Sequence, residues 1–203
     1  DDMRYGKPTV HAKMTQDYSN TTDSEHIGRS LAIIGGDLME AVTHKIILNS
    51  QLTPEVKIEL EKLMVQAVEE VVWGWYDQFR MDYLSLDSGE LSFERIEKSI
   101  IWVTGKYSVK LPLLFGFVVA GQKPPEKLEQ FADRLGALYQ TGDDLIGLFG
   151  EEKNTGKSNF GDIVQGKKTL PMWFSFEAAS ENDKAVLTRV VGDKQASVED
   201  IEK

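Results

Sequence analysis

Two adjacent carboxylates, Asp143 and Asp144, precede a glycine-punctuated loop carrying Lys153, Lys157, Lys167 and Lys168 in the stretch YQTGDDLIGLFGEEKNTGKSNFGDIVQGKKTLP, residues 139–171. The pair can supply hard oxygen ligands to Mg²⁺, which favours one or two carboxylates shared with substrate phosphates. The lysines can meet the remaining phosphate charge as flexible point cations. Gln140, Asp143, Asp144 and Gly147 fall at i, i+3, i+4 and i+7 and so form one stripe of a helix, with the carboxylates projecting together. Alone, an Asp-Asp pair is an ordinary solvated helix face and Lys167-Lys168 ordinary surface charge. Together they fit a diphosphate held through metal ions. His11, His26 and His44 have no ligand-like spacing, and Gly35-Gly36 follows no strand, so it reads as helix packing rather than a phosphate loop.

The elements that must position these groups read as helices throughout. From Pro54 to about Leu84, apolar residues recur every three or four positions, with Thr53 as the cap and Pro54 at the first helical position. Arg29 to Ser50 is more uniformly apolar, which predicts a helix buried on most sides, with Gly35-Gly36 permitting close backbone approach. Phe93 to Gly121 is a further helix, with Pro112 marking a kink or break. Leu128 to Phe149 follows a Lys-Pro-Pro turn, and its expected core face is Leu128, Phe131, Leu135, Leu138, Leu145 and Phe149, opposite the carboxylate stripe. The final helix begins near Thr169 and runs through Phe176. Segments 1–28 and 150–168 read as the two long non-helical stretches, and connections of that length are usually functional or disordered. Trp73, Trp75 and Tyr76 read as core or dimer-interface aromatics.

Composition narrows the partners. The 203 residues fit a single domain, and 33 acidic against 23 basic side chains give a net charge of −10, which disfavours nucleic acid or an anionic membrane surface. With no cysteine, a disulfide framework and a thiolate zinc site are both excluded. The longest apolar run, Leu111 to Gly121, contains Pro112 and falls far short of a bilayer span. A cytoplasmic protein without stable membrane insertion is the expectation.

Four ordered blocks carry a resemblance: RYGKPTVH, LAIIGGDLMEA, TGKYSVKLPLLFGFVVAG, and YQTGDDLIGLFG followed by TGKSNFGDIVQGKKTLP. They resemble, in order and spacing, segments of the trans-isoprenyl diphosphate synthases of the polyprenyl synthetase family, of the short-chain type that makes farnesyl or geranylgeranyl diphosphate. The resemblance implies an all-α isoprenoid-synthase bundle around a deep central cavity. It implies Mg²⁺ as cofactor, isopentenyl diphosphate and an allylic prenyl diphosphate as substrates, and a homodimer through the long central helices. Carried over by position, Asp143 is the metal ligand with Asp144 supporting. Thr104, Gln140, Lys157 and Lys167 form the catalytic set, with the two lysines on the allylic diphosphate. Arg4 and Lys7 belong to the isopentenyl diphosphate site, Tyr139 stands near it, Asp162 orients a lysine, and Lys106 and Lys168 complete the substrate-binding residues.

The chain departs from the family's pattern at several positions. Gly147 stands where many members carry a third aspartate, Tyr5 where the second arginine of a pair is expected, and Val103 in place of the lysine of a Lys-Thr pair; Lys106 is the candidate to compensate. Asp1 and Asp2 align just after the first aspartate-rich motif, so that motif and the last helices are expected to lie outside this sequence. Two alternatives follow. A non-catalytic homologue that modulates a prenyl synthase would explain the three losses, and a terpene cyclase would share the fold and metal chemistry. The lysine loop and the RYGKPT segment disfavour the cyclase, which needs no site for a second diphosphate.

Overall fold

The computed structural model describes residues 2–4, 6–150 and 161–201, and among these nearly all regular structure is helical. A two-residue antiparallel ladder, β1 (Met3–Arg4) with β2 (Lys7–Pro8), opens the chain and sets Arg4 opposite Lys7. The helices then follow as α1 (Val10–Asp17), α2 (Ser24–Asn49), α3 (Pro54–Asp82), α4 (Phe93–Ile100), a π-helical segment (Ile101–Lys110), α5 (Leu111–Val119), α6 (Leu128–Phe149), α7 (Gly161–Gln165), α8 (Leu170–Ala178), α9 (Glu181–Val190) and α10 (Val198–Ile201). Local chemistry sets many of the starts. Ser92, Thr169 and Ser180 each accept the backbone N–H three residues on, satisfying a donor the helix itself leaves orphaned.

The chain divides into two compact units, Asp1–Glu61 and Lys62–Lys203. In the first, α1 packs on α2, and their closest approach is at Gly28, where a Cβ would stand 2.1 Å from the Thr15 hydroxyl. Space around Gly35 and Gly36 is open, so the close contact expected there occurs two turns earlier. Nor is α2 buried on most sides. Only Gly28 and Ile47 are buried, while Ile33, Ile34, Leu38 and Met39 are exposed: within this unit α1 meets α2 near Gly28, and at eight residues it is too short to cover a 26-residue helix.

In the second unit α4, the π-helical segment and α5 run on as one continuous helix, since Ile100 and Leu111 at the junctions keep helical dihedrals. The Leu111 N–H bonds the Lys106 carbonyl five residues back, the wide π register. Pro112 has no N–H to continue either register, and the return to α-helix falls beside it without a break. Beneath this helix lies the main core, Met81, Leu91, Ile96, Ile100 and Leu170, joined by a smaller cluster of Leu86, Met172 and Phe176. Met81 and Ile96 are fully buried, and burial of such a side chain stabilises by on the order of 2 kcal/mol. Helices α1, α7, α9 and α10 are short elements that the sequence pattern did not disclose, being polar or only a few turns long. None of the described helices is long and apolar enough to cross a membrane.

Candidate functional site

Helix α6 has the bounds that its periodicity predicts, but the face it buries is the other one. Ala132, Gly136 and Asp144 are buried and Gln140 half-buried, whereas Phe131, Leu135, Leu138, Leu145 and Phe149 are exposed. The reason lies in Gly136. A Cβ there would stand 2.2 Å from the Cα of Gly105, so the backbones of α6 and the π-helical segment touch at this pair of glycines. Residues 132, 136, 140 and 144 lie four apart on one stripe, and whatever faces the π-helical segment at 136 continues to 144.

That stripe assembles the first part of the site. The Thr104 hydroxyl donates to Gln140 Oε1 at 2.9 Å, and Gln140 Nε2 donates to Asp144 Oδ1 at 2.9 Å. Thr104 therefore fixes which end of the Gln140 amide faces the carboxylate. Asp143, one residue round the helix, is exposed. Burial pushes the Asp144 carboxyl up to about 6; the Gln140 bond and Lys167 pull it down, and the charges of Asp162 and Asp143 push it further up.

The second part comes from α7 and the turn after it. Asp162 accepts a hydrogen bond from the Lys167 ammonium, and the Lys167 N–H donates to the Asp162 carbonyl at 3.0 Å. Asp162 Oδ2 lies 2.9 Å from where a Cβ at Gly147 would stand. The carboxylate of Asp162 thus fills space that a side chain at position 147 would need. The glycine there and an aspartate fifteen residues on are one arrangement, a signal legible only once the chain is folded. Asp82, at the end of α3, is a further acid near this cluster: burial raises its carboxyl, opposed by the Lys168 N–H and the charges of Lys168 and Lys167.

Thr104, Gln140, Asp144, Asp162 and Lys167 are therefore brought together, with Asp143 beside them on α6. Lys168 is turned inward. Its buried ammonium donates to the carbonyls of Gly166 at 2.5 Å and Asp82 at 3.0 Å rather than pointing outward to a substrate. Lys106 is also committed elsewhere, lying 3.0 Å from both Glu129 and Asp133 near the start of α6. Burial alone would lower its pKa, but those two acids outweigh burial and raise it. It supplies no replacement cation for Val103, whose side chain instead packs against Gly74, 3.0 Å from a Cβ placed there. Tyr139 is exposed, and Arg4 and Lys7 lie on the exposed hairpin of the first unit. Lys153, Lys157, Tyr5 and Asp1 lie outside the described residues. Asp77, the other acid near Gly74, is held by Arg95 through bonds of 2.6 and 3.1 Å, a structural pair.

Among the described residues no group of three or more acidic or histidine side chains is disposed to hold a metal on its own. Two carboxylates suit a hard cation that completes its shell with water and phosphate oxygens. Asp144 fits such a role: burial is the main cause that holds its carboxyl up, and an approaching cation would favour proton release.

Comparison with known proteins gives a consistent picture. A model of the polyprenyl synthetase family matches residues 1–203. The geranylgeranyl diphosphate synthase of Sulfolobus acidocaldarius is 28% identical over 99% of this chain and 57% of its own length. The farnesyl diphosphate synthase of Geobacillus stearothermophilus is 29% identical over 89% of the chain and 57% of its own. Among solved structures, the geranylgeranyl pyrophosphate synthase of Corynebacterium glutamicum, complexed with isoprenyl diphosphate and magnesium, superposes with a TM-score of 0.86 at 28% identity, covering 100% of this chain and 57% of that one. The chain thus spans somewhat over half the length of the relatives it matches.

Proposed function

We infer the reaction from one premise: the chain belongs to the polyprenyl synthetase family. We propose that the protein of which it is all or part is a trans-prenyltransferase that condenses isopentenyl diphosphate with an allylic prenyl diphosphate. The observation that carries the proposal is the acid-rich cluster of Asp143, Asp144 and Asp162 with a single described cation, Lys167, joined through Gln140 to Thr104. Among the described residues, acids outnumber cations at this cluster, a balance that suits a metal ion.

In the reaction the allylic C–O bond breaks to give diphosphate and an allylic cation. The π electrons of the isopentenyl double bond form the new C–C bond, and loss of a proton restores a double bond. Asp143 and Asp144 would hold Mg²⁺, which when bound supplies Lewis-acid stabilisation of the leaving diphosphate. Lys167, held by Asp162, presents its ammonium to the same anion. Gln140 keeps its carbonyl oxygen toward Thr104 and its amide toward Asp144, so Asp144 is oriented before substrate arrives. Arg4 and Lys7, opposite one another on the first unit's ladder, are two cations suited to an isopentenyl diphosphate.

A homodimer is part of the same reading. Trp73, Trp75, Tyr76 and Phe79 of α3 are all exposed, and an apolar aromatic surface of that size marks an interface. The net charge of −10 argues against nucleic acid as a partner.

The test is condensation of labelled isopentenyl diphosphate with geranyl and farnesyl diphosphates by the complete natural polypeptide, with and without Mg²⁺, with product length read by mass. Metal-dependent elongation is expected. Failure to elongate either substrate would overturn the proposal and favour the non-catalytic partner.

A further inference from the structure

Lys168 is the second of two adjacent lysines, yet it has none of the features of an anion contact. It is buried, its ammonium is bonded to two backbone carbonyls, and its own N–H donates to Asp82 Oδ1 at 3.3 Å. The two carbonyls belong to different elements. One is Asp82, the last residue of α3, and the other is Gly166, the apex of the turn that follows α7.

We propose that Lys168 is a positioning residue that acts on the diphosphate site through Lys167 and Asp162, by tying the turn that carries them to the end of α3. The proposal rests on the diphosphate chemistry inferred above.

The turn cannot hold itself in place. Gly166 has φ +74, a conformation that costs a side chain strain, and its N–H and that of Lys167 close back on Ile163 and Asp162 at 3.0 Å. These bonds shape the turn but tie it to nothing beyond α7. Among the described residues, two polar ties join it to other elements. On one side the Gly192 N–H donates to the Ile163 carbonyl at 2.8 Å, and the backbones at Gly166 and Gly192 come so close that a Cβ on Gly166 would stand 3.0 Å from Gly192 Cα. On the other side stands Lys168, bridging to α3. With both in place, Asp162 is held where its carboxylate fills the space at Gly147, and Lys167 is held on Asp162. Removing the Lys168 ammonium leaves only the 3.3 Å bond from its N–H to Asp82 on this side of the turn, so the damage is transmitted to Lys167 rather than to a contact Lys168 makes with substrate. Aligned by charge alone, the two lysines are equivalent; in the fold one meets the anion and the other holds the first in position.

The test uses the complete natural polypeptide and inorganic diphosphate with Mg²⁺ as the probe, with affinity measured by titration calorimetry. Lys167→Met and Lys168→Met are each expected to weaken binding by about tenfold, the scale of one charge-assisted hydrogen bond. The double variant should be within about twofold of Lys167→Met alone, because the second change acts through a group already lost. Multiplied losses would make Lys168 an independent anion contact and overturn the proposal, as would unchanged affinity in a folded Lys168→Met protein. Hydrogen exchange supplies a readout that needs no ligand. The amides of Gly166 and Lys167 should exchange faster in Lys168→Met but not in Lys167→Met, with α6 amides unchanged. If the wild type binds no diphosphate while this exchange pattern holds, the positioning role stands and the functional reading falls; if exchange at these two amides is unchanged, the positioning role falls whatever binds. Should Lys168→Met fail to fold, Lys168→Gln carries the same tests, since it removes the ammonium that bridges the Asp82 and Gly166 carbonyls while keeping a polar end at the buried position.

Discussion

Near its start α6 sets Glu129 and Asp133 against Lys106 and Lys110 at 2.6–3.0 Å, whereas about three turns later it sets Asp143 and Asp144 beside Asp162 and Lys167. Both clusters combine acids and lysines, and both draw a residue from the same π-helical segment, Lys106 in one and Thr104 in the other. They differ in balance. The first has two cations for two acids, and the Lys110 and Lys106 bonds hold the Glu129 carboxyl down at about 2. Among the described residues the second has Asp143, Asp144 and Asp162 with Lys167, adjoined by Asp82 and Lys168, so acids outnumber cations, and burial holds Asp144 up at about 6. Neutralised charge of the first kind serves the crossing of two helices; under the proposed function, the acids of the second would meet a metal ion. The balance is not perfect even at the first end. Lys106 lies 3.0 Å from Asp133 Oδ1, but that oxygen has no aligned hydrogen bond, so the contact is an ion pair by proximity.

Exchanging single carboxylates at the two ends should separate them most widely. Asp143→Ala in the complete natural polypeptide is expected to lower Mg²⁺-dependent condensation by about 10²–10³-fold, while Glu129→Gln, on an exposed ion pair, should leave it within about threefold. Equal losses in initial rate would erase the distinction between site and scaffold.

The two ends should also titrate in opposite senses. The Asp144 pKa is raised from 3.8 to about 6, so its contribution to stability is fully present below about pH 4 and is lost as pH rises through about 6. Two pKa units correspond to about 3 kcal/mol at most. Glu129 is lowered from 4.5 to about 2, so its contribution is present above about pH 4.5 and is lost as pH falls toward 2. Urea titrations of the metal-free protein at pH 4 to 7 should therefore show stability declining with pH, relative to an Asp144→Asn variant. A parallel pair of curves would refute the burial of Asp144.

Removing the cation at the balanced end should cost stability rather than binding. Lys106→Met leaves Asp133 without its cation while Lys110 still meets Glu129, and a loss of roughly 2 kcal/mol in chemical denaturation is expected, below the full cost of breaking a buried pair because one cation remains. A change under about 0.5 kcal/mol would place Lys106 outside the scaffold.

The junction between the two ends gives the smallest effects and the finest test. Gly136→Ala drives a Cβ to 2.2 Å from the Gly105 backbone and should cost about 1–2 kcal/mol in thermal unfolding. Gly147→Ala meets only the end of the Asp162 side chain at 2.9 Å, which can swing aside, so a loss below about 1 kcal/mol is expected. The reverse order would mean that Asp162 is the more rigidly held of the two.

Much of this was legible in the residues. The bounds of α6, the cap at Thr53, the start of a helix near Thr169, and the association of Asp144, Gln140 and Thr104 with the lysine turn all follow from spacing or from the family resemblance, because caps and helical stripes are local properties. The buried face of α6 was not. Its apolar residues announced a core, but the stripe of Ala132, Gly136, Gln140 and Asp144 is the one small enough, at its first two positions, to let a second backbone approach. Likewise the adjacent Lys167 and Lys168 are chemically identical in the sequence, and the different acceptors they find are separated from them by up to 86 residues.

The sequence by itself determined that the chain is helical, where α3 and α6 start, and that carboxylates and lysines suited to a diphosphate lie close along it, since each depends on propensity, capping and short-range spacing; it placed the start of α2 at Arg29, five residues late. Only the tertiary structure decided that Glu129 and Asp133 face two lysines, that Asp162 fills the space at Gly147, and that the Lys168 ammonium bonds backbone carbonyls. Those outcomes depend on which distant backbone or side chain fills the neighbouring space, and burial, the main force on the Asp144 carboxyl, exists only after the helices have packed.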